Sequence, residues 1–352
     1  MNYLKALILI GGFGTRLRPL SCTRPKALFP IINKPLLQWT FEKLAENGVD
    51  EVILAVNKLT QFHIRQHRLP RCGLKVRFSI DPPKMPLGTA GPIKKAQKLL
   101  GKEPFLVLNG DLITEIDYKA LYKSHKEGKA LATIALHEEK DPSRYGVAEL
   151  VEGNQIKRFV EKPSKGTEPS NLINAGVYVL SPKIFEFIPS GRAVSMEREI
   201  FPKLVENNSL FGYKVEGLWI DIGKPEEYLE TNRLLLEAYC SKPPKRGGFE
   251  CKKPFVLGKG VSIGENSIIG PCVVLGKNVT IGKNVHIKDS VVFSYAKIDD
   301  DADICGSIIG EAARIGKKVK LTKGCIIADN AKIKDDALIS EKIQVCPAKE
   351  IA

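Results

Sequence analysis

The sequence predicts a two-part α/β protein: a doubly wound sheet, mixed but mostly parallel, followed by a parallel β-helix. Three observations carry this. Apolar, strand-like runs alternate with helical patterns from Leu4 to Leu108. A glycine-rich, cationic loop leaves the first run at Gly11, the position at which α/β sheets hold anions. Beyond residue 254, aliphatic side chains recur every sixth residue, the mark of a β-helix.

The elements follow in order. Leu4 to Ile10 is a buried parallel strand that runs straight into the glycine loop, which argues for a strand and against a signal peptide. Pro35 to Asn47 is a helix: Pro sits at its first turn, Leu36, Leu37, Phe41 and Leu44 make one stripe, and Gly48 ends it. Strands are predicted at 51–56, 74–80 and 105–108, with a short helix at 61–67 and another at 92–100 after a Pro/Gly loop, Asp81 to Gly91. Ligands of such sheets collect at the carboxyl ends of strands, so residues 11–26, 81–91 and 109–111 are expected to share one crevice. Four strand-like runs at 131–137, 146–151, 155–160 and 173–180 are expected to add mixed or antiparallel strands that roof the sheet. Helices at 182–188 and 197–207, strands at 211–216 and 218–222 and a long helix at 225–239 complete a first domain, 1–240. A Pro/Gly/basic connector spans 241–254, and the β-helix 255–346. There Ile263, Ile269, Leu275, Ile281, Ile287 and Phe293 are in phase; after a break the phase resumes at Ile309, Ile315, Leu321, Ile327, Ile333 and Ile339. Each hexad is one side of a triangular coil with its apolar residue inward.

Composition bounds the function. With 43% hydrophobic and 27% charged residues and no apolar run of membrane-spanning length, the chain reads as a soluble globular protein. Eight cysteines without a C-x-x-C pair argue against zinc or a disulfide framework and fit a reducing cytoplasm. The net charge of +14 is spread along the chain, with no basic tail and no aromatic–basic interleaving. It reads as a lysine-rich surface plus a polyphosphate site, not as a nucleic-acid interface. Five histidines form no cluster; His286, inside the repeat, is set aside as an acyltransferase base.

The loop itself is informative. Arg16, Arg18, Arg24, Lys26 and Lys34 lie within nineteen residues, more charge than a diphosphate needs. The dinucleotide motif fails because Leu17 stands where its third glycine would be, and no Gly-Lys precedes Ser or Thr as a P-loop demands. The stretch Gly11-Gly12-Phe13-Gly14-Thr15-Arg16-Leu17-Arg18-Pro19-Leu20, then Pro25-Lys26-Ala27-Leu28, then Asn33-Lys34-Pro35-Leu36, closely resembles the signature of the sugar-1-phosphate nucleotidyltransferases. The hexad repeat is similar to the left-handed β-helix of the hexapeptide family.

The resemblance implies a Rossmann-like catalytic domain and a reaction in which a sugar 1-phosphate attacks the α-phosphorus of an NTP and pyrophosphate leaves. It implies roles by position. Arg16 and Lys26 would hold the pyrophosphate, and the backbone of Gly11, Gly12, Gly14 and Thr15 would wrap the phosphates. Gly88 and Thr89 of Leu87-Gly88-Thr89-Ala90-Gly91, with Asn109 and Gly110, would receive the nucleotide. Phe159-Val160-Glu161-Lys162-Pro163 matches the family's sugar-phosphate box, with Lys162 on the phosphate and Glu161 on hydroxyls; Asn174 and the Gly146 backbone would complete the sugar side. Asp111 and Asp221, each after a strand, match the family's Mg²⁺ aspartates. The hexad domain and Ser195-Met196-Glu197-Arg198-Glu199-Ile200-Phe201-Pro202 look most like the group that makes GDP-mannose from GTP and mannose 1-phosphate. Ala27 in place of Pro, and Gly110 where Ser is usual, are departures that remove no charge. Alternatives are a glucose-1-phosphate uridylyl- or thymidylyltransferase, and a non-catalytic nucleotide-sugar-binding subunit. A homo-oligomer is expected, since open β-helix coils need capping.

Overall fold

The computed structural model describes residues 4–12, 14–82, 85–242 and 248–352; the centre of the expected connector, 243–247, lies outside them. The chain forms two compact units, Met1–Gly12 with Leu37–Ile220, and Phe13–Leu36 with Asp221–Ala352.

The first unit is built on a nine-stranded sheet. Its strands are β1 (Lys5–Leu9), β2 (Glu51–Val56), β3 (Lys75–Ile80), β4 (Phe105–Asn109), β5 (Ala132–Glu138), β6 (Gly146–Leu150), β7 (Ile156–Glu161), β8 (Leu172–Leu180) and β9 (Leu210–Lys214). The order is β7-β6-β8-β4-β1-β2-β3, with β5 pairing β8 and β9. β1 is parallel to β2 and β4, and β2 to β3. All six residues of β2 are buried, as expected where helices cover both faces. β8 runs antiparallel to β4, β5 and β6. The middle strands therefore extend the same sheet edge to edge and do not roof it. An antiparallel strand needs only a partner edge, whereas a roof would need a second buried face that the polar residues Lys157 and Arg158 of β7, both exposed, cannot supply.

Helices α1 (Leu36–Glu46) and α2 (Lys58–His67) match expectation closely. The helix at 92–100 is broken into α3 (Gly91–Lys95) and α4 (Gln97–Leu100), joined at Ala96. Three elements were not anticipated: the short strand Leu112–Thr114, the two-residue ladder Pro30–Ile31 with Lys34–Pro35, and the helix α5 (Tyr118–Gly128). The signals of α5 are present, however. Asp117 caps it by accepting from the Ala120 N–H at 2.8 Å, and Tyr118, Leu121 and His125 are its buried stripe. The segment 182–188 is a short 3₁₀ turn, and 197–207 is a π-type turn, Met196–Ile200, followed by α6 (Phe201–Glu206).

The second unit contains α7 (Pro225–Tyr239) and three six-stranded parallel sheets, one strand per coil in each, consistent with a left-handed β-helix. Coil corners recur at residues with positive φ, among them Asn266, Asn278, Asn284 and Asn330, because asparagine tolerates this conformation better than most side chains. Gly264 is required by stacking: a β-carbon there would lie 2.5 Å from the Gly282 carbonyl carbon of the next coil. The repeat departs from the expected phase at one place. Leu275 pairs with Val292, and Val292, not Phe293, belongs to the core within the coils. The sheet needs its apolar residues in one file, so a coil one residue short moves the inward position back by one and leaves Phe293 outside that core.

Candidate active site

In the first unit, the loops after β1, β3 and β4 leave the carboxyl ends of parallel strands, and close packing brings them together. A β-carbon on Gly11 would stand 2.9 Å from Asp81 Oδ2, and one on Gly110 2.7 Å from Ile10 Cγ1 and 2.8 Å from the Leu9 carbonyl oxygen. Gly110 also donates its N–H to Leu9 O at 3.0 Å. Only glycine permits this approach. Gly12 is open on its Cβ side. Asn109 ends β4 opposite Leu9, and Asp111 follows, half-buried.

The loop at 87–90 is clamped. Ala90 N–H donates to Val194 O at 2.9 Å and Val194 N–H to Leu87 O at 3.0 Å. Gly88 has φ 71° and faces the Val194 backbone so closely that a β-carbon would collide with it. The Thr89 hydroxyl donates to Glu197 Oε2 at 2.6 Å and accepts from the Met196 N–H at 2.8 Å, so it fixes the loop. Glu197 received no role from the sequence, yet it ties the 87–90 loop to β8 through Thr89 and Tyr178. It also accepts from Ser195 Oγ at 2.7 Å and faces the Tyr178 hydroxyl at 3.5 Å. Asn174 donates to that hydroxyl at 3.2 Å and accepts from the Gly176 N–H at 2.9 Å.

The stretch Phe159–Pro163 straddles the end of β7. Glu161 pairs in register with Gly146, where a β-carbon would stand 2.5 Å from Phe159 Cζ and 2.9 Å from Glu161 Oε2. Burial and then Glu197 raise the Glu161 pKa, against Lys162 and Arg198, which lower it. Lys162 donates its backbone N–H to Tyr145 O at 2.9 Å. It adopts φ 51°, a conformation that clusters at functional sites in residues other than glycine. Its side chain is 60% exposed, with Nζ 3.9 Å from Glu161 Oε1. Asp81 was passed over at the sequence level. Burial raises its pKa, opposed by Lys95, and its buried Oδ1 has no hydrogen-bond partner among the described residues.

The second unit holds Gly14, Thr15, Arg16, Lys26 and Asp221. Gly14 is left-handed, φ 58°, and opens a single 3₁₀ turn, Thr15–Leu17; Thr15 and Arg16 are exposed. The Arg16 guanidinium lies against Gly223, whose β-carbon would be 3.2 Å from Nη1. Lys26 Nζ stands 4.0 Å from Asp221 Oδ1, and the Lys26 side chain is only 13% exposed. Arg24, counted at the sequence level among the loop's cations, is neutralised instead: Nη2 lies 2.7 Å from Glu311 and 2.7 Å from Asp329. No cluster of three or more His, Cys, Asp or Glu exists among the described residues. Asp111 belongs to the first unit and Asp221 to the second; carboxylates are the donors that hard cations take in ones or twos together with substrate oxygens.

Comparison with known proteins places both ends of the chain. The family described as nucleotidyl transferase matches residues 5–238, and the GMPPB C-terminal domain matches residues 251–352. The chain is 38% identical over 361 residues to "Mannose-1-phosphate guanyltransferase" of Debaryomyces hansenii, covering 99% of this chain and 97% of that one. It is 41% identical over 247 residues to "Mannose-1-phosphate guanylyltransferase catalytic subunit beta" of Danio rerio, covering 69% and 68%. Among solved structures, HddC from Yersinia pseudotuberculosis superposes with a TM-score of 0.57 at 33% identity, over 66% of this chain and 99% of that one. A UDP-glucose pyrophosphorylase from Acinetobacter gives a TM-score of 0.59 at 21% identity, over 67% and 94%, a likeness of fold alone.

Proposed function

The chain belongs to the nucleotidyl transferase family, and on that premise we propose that it makes GDP-mannose and pyrophosphate from GTP and mannose 1-phosphate. The observation that carries the reading is the similarity along the full length to a guanyltransferase of mannose 1-phosphate. An oxygen of the sugar phosphate forms the new bond to the α-phosphorus, and the bond from that phosphorus to the β-phosphate bridge oxygen breaks. The nucleophile is the substrate's own, so the protein's task is positioning and neutralisation. Two like charges at ~4 Å repel by about 4 kcal/mol at an effective dielectric near 20, which is why cations must separate them.

In this reading Arg16 and Lys26 take the leaving pyrophosphate, with the backbone of Gly11, Gly12, Gly14 and Thr15 on the phosphates. Lys162, an exposed point charge on a flexible stem, takes the sugar phosphate. Glu161, Asn174 and the Gly146 backbone take the sugar; Gly88, Thr89, Asn109 and Gly110 line the nucleotide's path. Asp111 and Asp221 would hold Mg²⁺, which when bound supplies charge neutralisation at the α-phosphate. Retention of Arg16, Lys26, Asp111, Lys162 and Asp221 argues against a non-catalytic subunit.

The catalytic domain is proposed as 1–240, the connector as 241–254 and the β-helix domain as 255–346. Leu338 and Ile343, exposed apolar residues near the end of the β-helix, support its use in a homo-oligomer. Eight free cysteines suit a reducing cytoplasm. The test is pyrophosphate release with each NTP against mannose and glucose 1-phosphates. Turnover with GTP and mannose 1-phosphate is expected; turnover confined to UTP or dTTP with glucose 1-phosphate would replace the assignment, and none with any pair would end it.

A further inference from the structure

The loop that carries Arg16 and Lys26 has little structure of its own. It consists of three 3₁₀ turns of three residues each, Thr15–Leu17, Leu20–Cys22 and Lys26–Leu28, and a two-residue ladder at Pro30–Ile31 and Lys34–Pro35. Such turns are too short and too poorly bonded to hold a fixed shape unaided. Its shape comes from side chains of the same unit. Phe29, Tyr228 of α7 and Phe293 form an edge-to-face cluster with centroids 5.8, 6.1 and 6.4 Å apart. Ile32 N–H donates to Asn232 Oδ1 at 2.9 Å, and Asn33 Nδ2 to Leu275 O at 2.8 Å. Phe293 is available only because the repeat slips its phase before it.

Arg24 is the polar centre of this seat. Its guanidinium carbon lies 5.2 Å from the Phe293 ring centroid, and Nη2 reaches both Glu311 and Asp329. Asp329 is saturated: Oδ2 also accepts from Thr23 Oγ1 at 2.6 Å, and Oδ1 from the Glu311 N–H at 2.7 Å. Side-chain exposure is 11% for Arg24 and 5% for Asp329. Arg24 Nε is buried without a hydrogen-bond partner among the described residues, so the pair is credited with fixing geometry and not with adding stability. Between Arg24 and Lys26 stands only Pro25, with φ −66°, so the link between them is one residue long with one rotation locked.

Resting on the reading of the protein as a nucleotidyltransferase, we propose that Arg24, Asp329 and Glu311 are positioning residues for the transfer step, and that the β-helix thereby sets the geometry of the pyrophosphate-binding loop. The β-helix is then a working part of the catalytic apparatus as well as an assembly surface. Loss of the seat should affect turnover, while handling of sugar phosphate by Lys162, in the other unit, is retained.

The experiment uses the full-length protein, with kcat and both KM values measured for wild type, Arg24→Ala, Asp329→Asn and the double variant. Val319→Ala, which thins the buried β-helix core without touching the ion pair, serves as the stability control, assayed at an equal distance below its melting temperature. Expected are a kcat loss of at least tenfold in each single variant, a KM for sugar 1-phosphate within twofold of wild type, a double variant no worse than the poorer single, and a control that keeps kcat within twofold. Unchanged kcat in Arg24→Ala and Asp329→Asn would overturn the proposal, as would an equal loss in Val319→Ala. A wild type inactive with every substrate pair would instead retire the parent reading.

Discussion

The two units support their charged residues in opposite ways. In the first, Gly11, Asn109, Glu161 and Lys162 sit at or just past the ends of long strands, and the sheet's backbone ladder positions them. In the second, Arg16 and Lys26 sit on a loop of single turns that side chains hold in place: an aromatic cluster, two asparagines and a buried ion pair. A ladder tolerates replacement of the side chain it presents, because its hydrogen bonds lie in the main chain. A loop seated by side chains transmits the loss of any one of them.

The sharpest way to break this contrast is to remove the seat. Phe293→Ala should cost about 3–5 kcal/mol of stability, the usual range for an aromatic removed from a core, measured by denaturant unfolding of the full chain. A loss below about 1 kcal/mol would mean that the loop holds its own shape.

Next in size, Lys26→Ala should lower kcat about 10²–10³-fold, as for removal of one charge-stabilising group from a transition state, read by pyrophosphate release. An undiminished kcat would take Lys26 out of the site.

Acid should separate the units. His125 is buried with Nδ1 2.9 Å from Thr133 Oγ1 and Nε2 2.9 Å from Ser181 Oγ, and burial lowers its pKa to about 4. The unfolded chain, with an ordinary histidine, binds more protons between those values. Stability from this group is therefore full above about pH 6.5 and falls as pH drops toward 4, by about 2 kcal/mol at pH 5. The second unit contains only His286, which is exposed. Hydrogen-exchange protection, taken relative to the intrinsic rate at each pH, should fall in α5 and β5 at pH 5 relative to pH 7, with less change in His125→Asn; pH-independent protection there would contradict the assignment.

The smallest effect is reserved for the ladder-borne cation. Lys162→Ala should raise the KM for sugar 1-phosphate about tenfold and leave stability within about 0.5 kcal/mol, as for an exposed side chain. Equal weakening of GTP would argue against its role.

What could be read without coordinates is what short-range chemistry dictates. Apolar runs gave the strands, the helical pattern at 225–239 gave α7, and the hexad gave the β-helix, because each is a local pattern that burial imposes on neighbouring residues. The ordered glycine, arginine and lysine pattern gave the phosphate chemistry for the same reason. Helix α5 is equally local, marked by its Asp117 cap. Tertiary structure alone decided the rest. Arg24 stands among phosphate-loop cations in sequence, yet its charge is cancelled by carboxylates some three hundred positions away. Glu197 gains its meaning only from the company of Thr89, Ser195 and Tyr178, and Asp81 from burial of one oxygen. Sequence fixes which charges a chain carries, but whether a charge is spent inside the fold or kept for a ligand depends on distances that only folding creates.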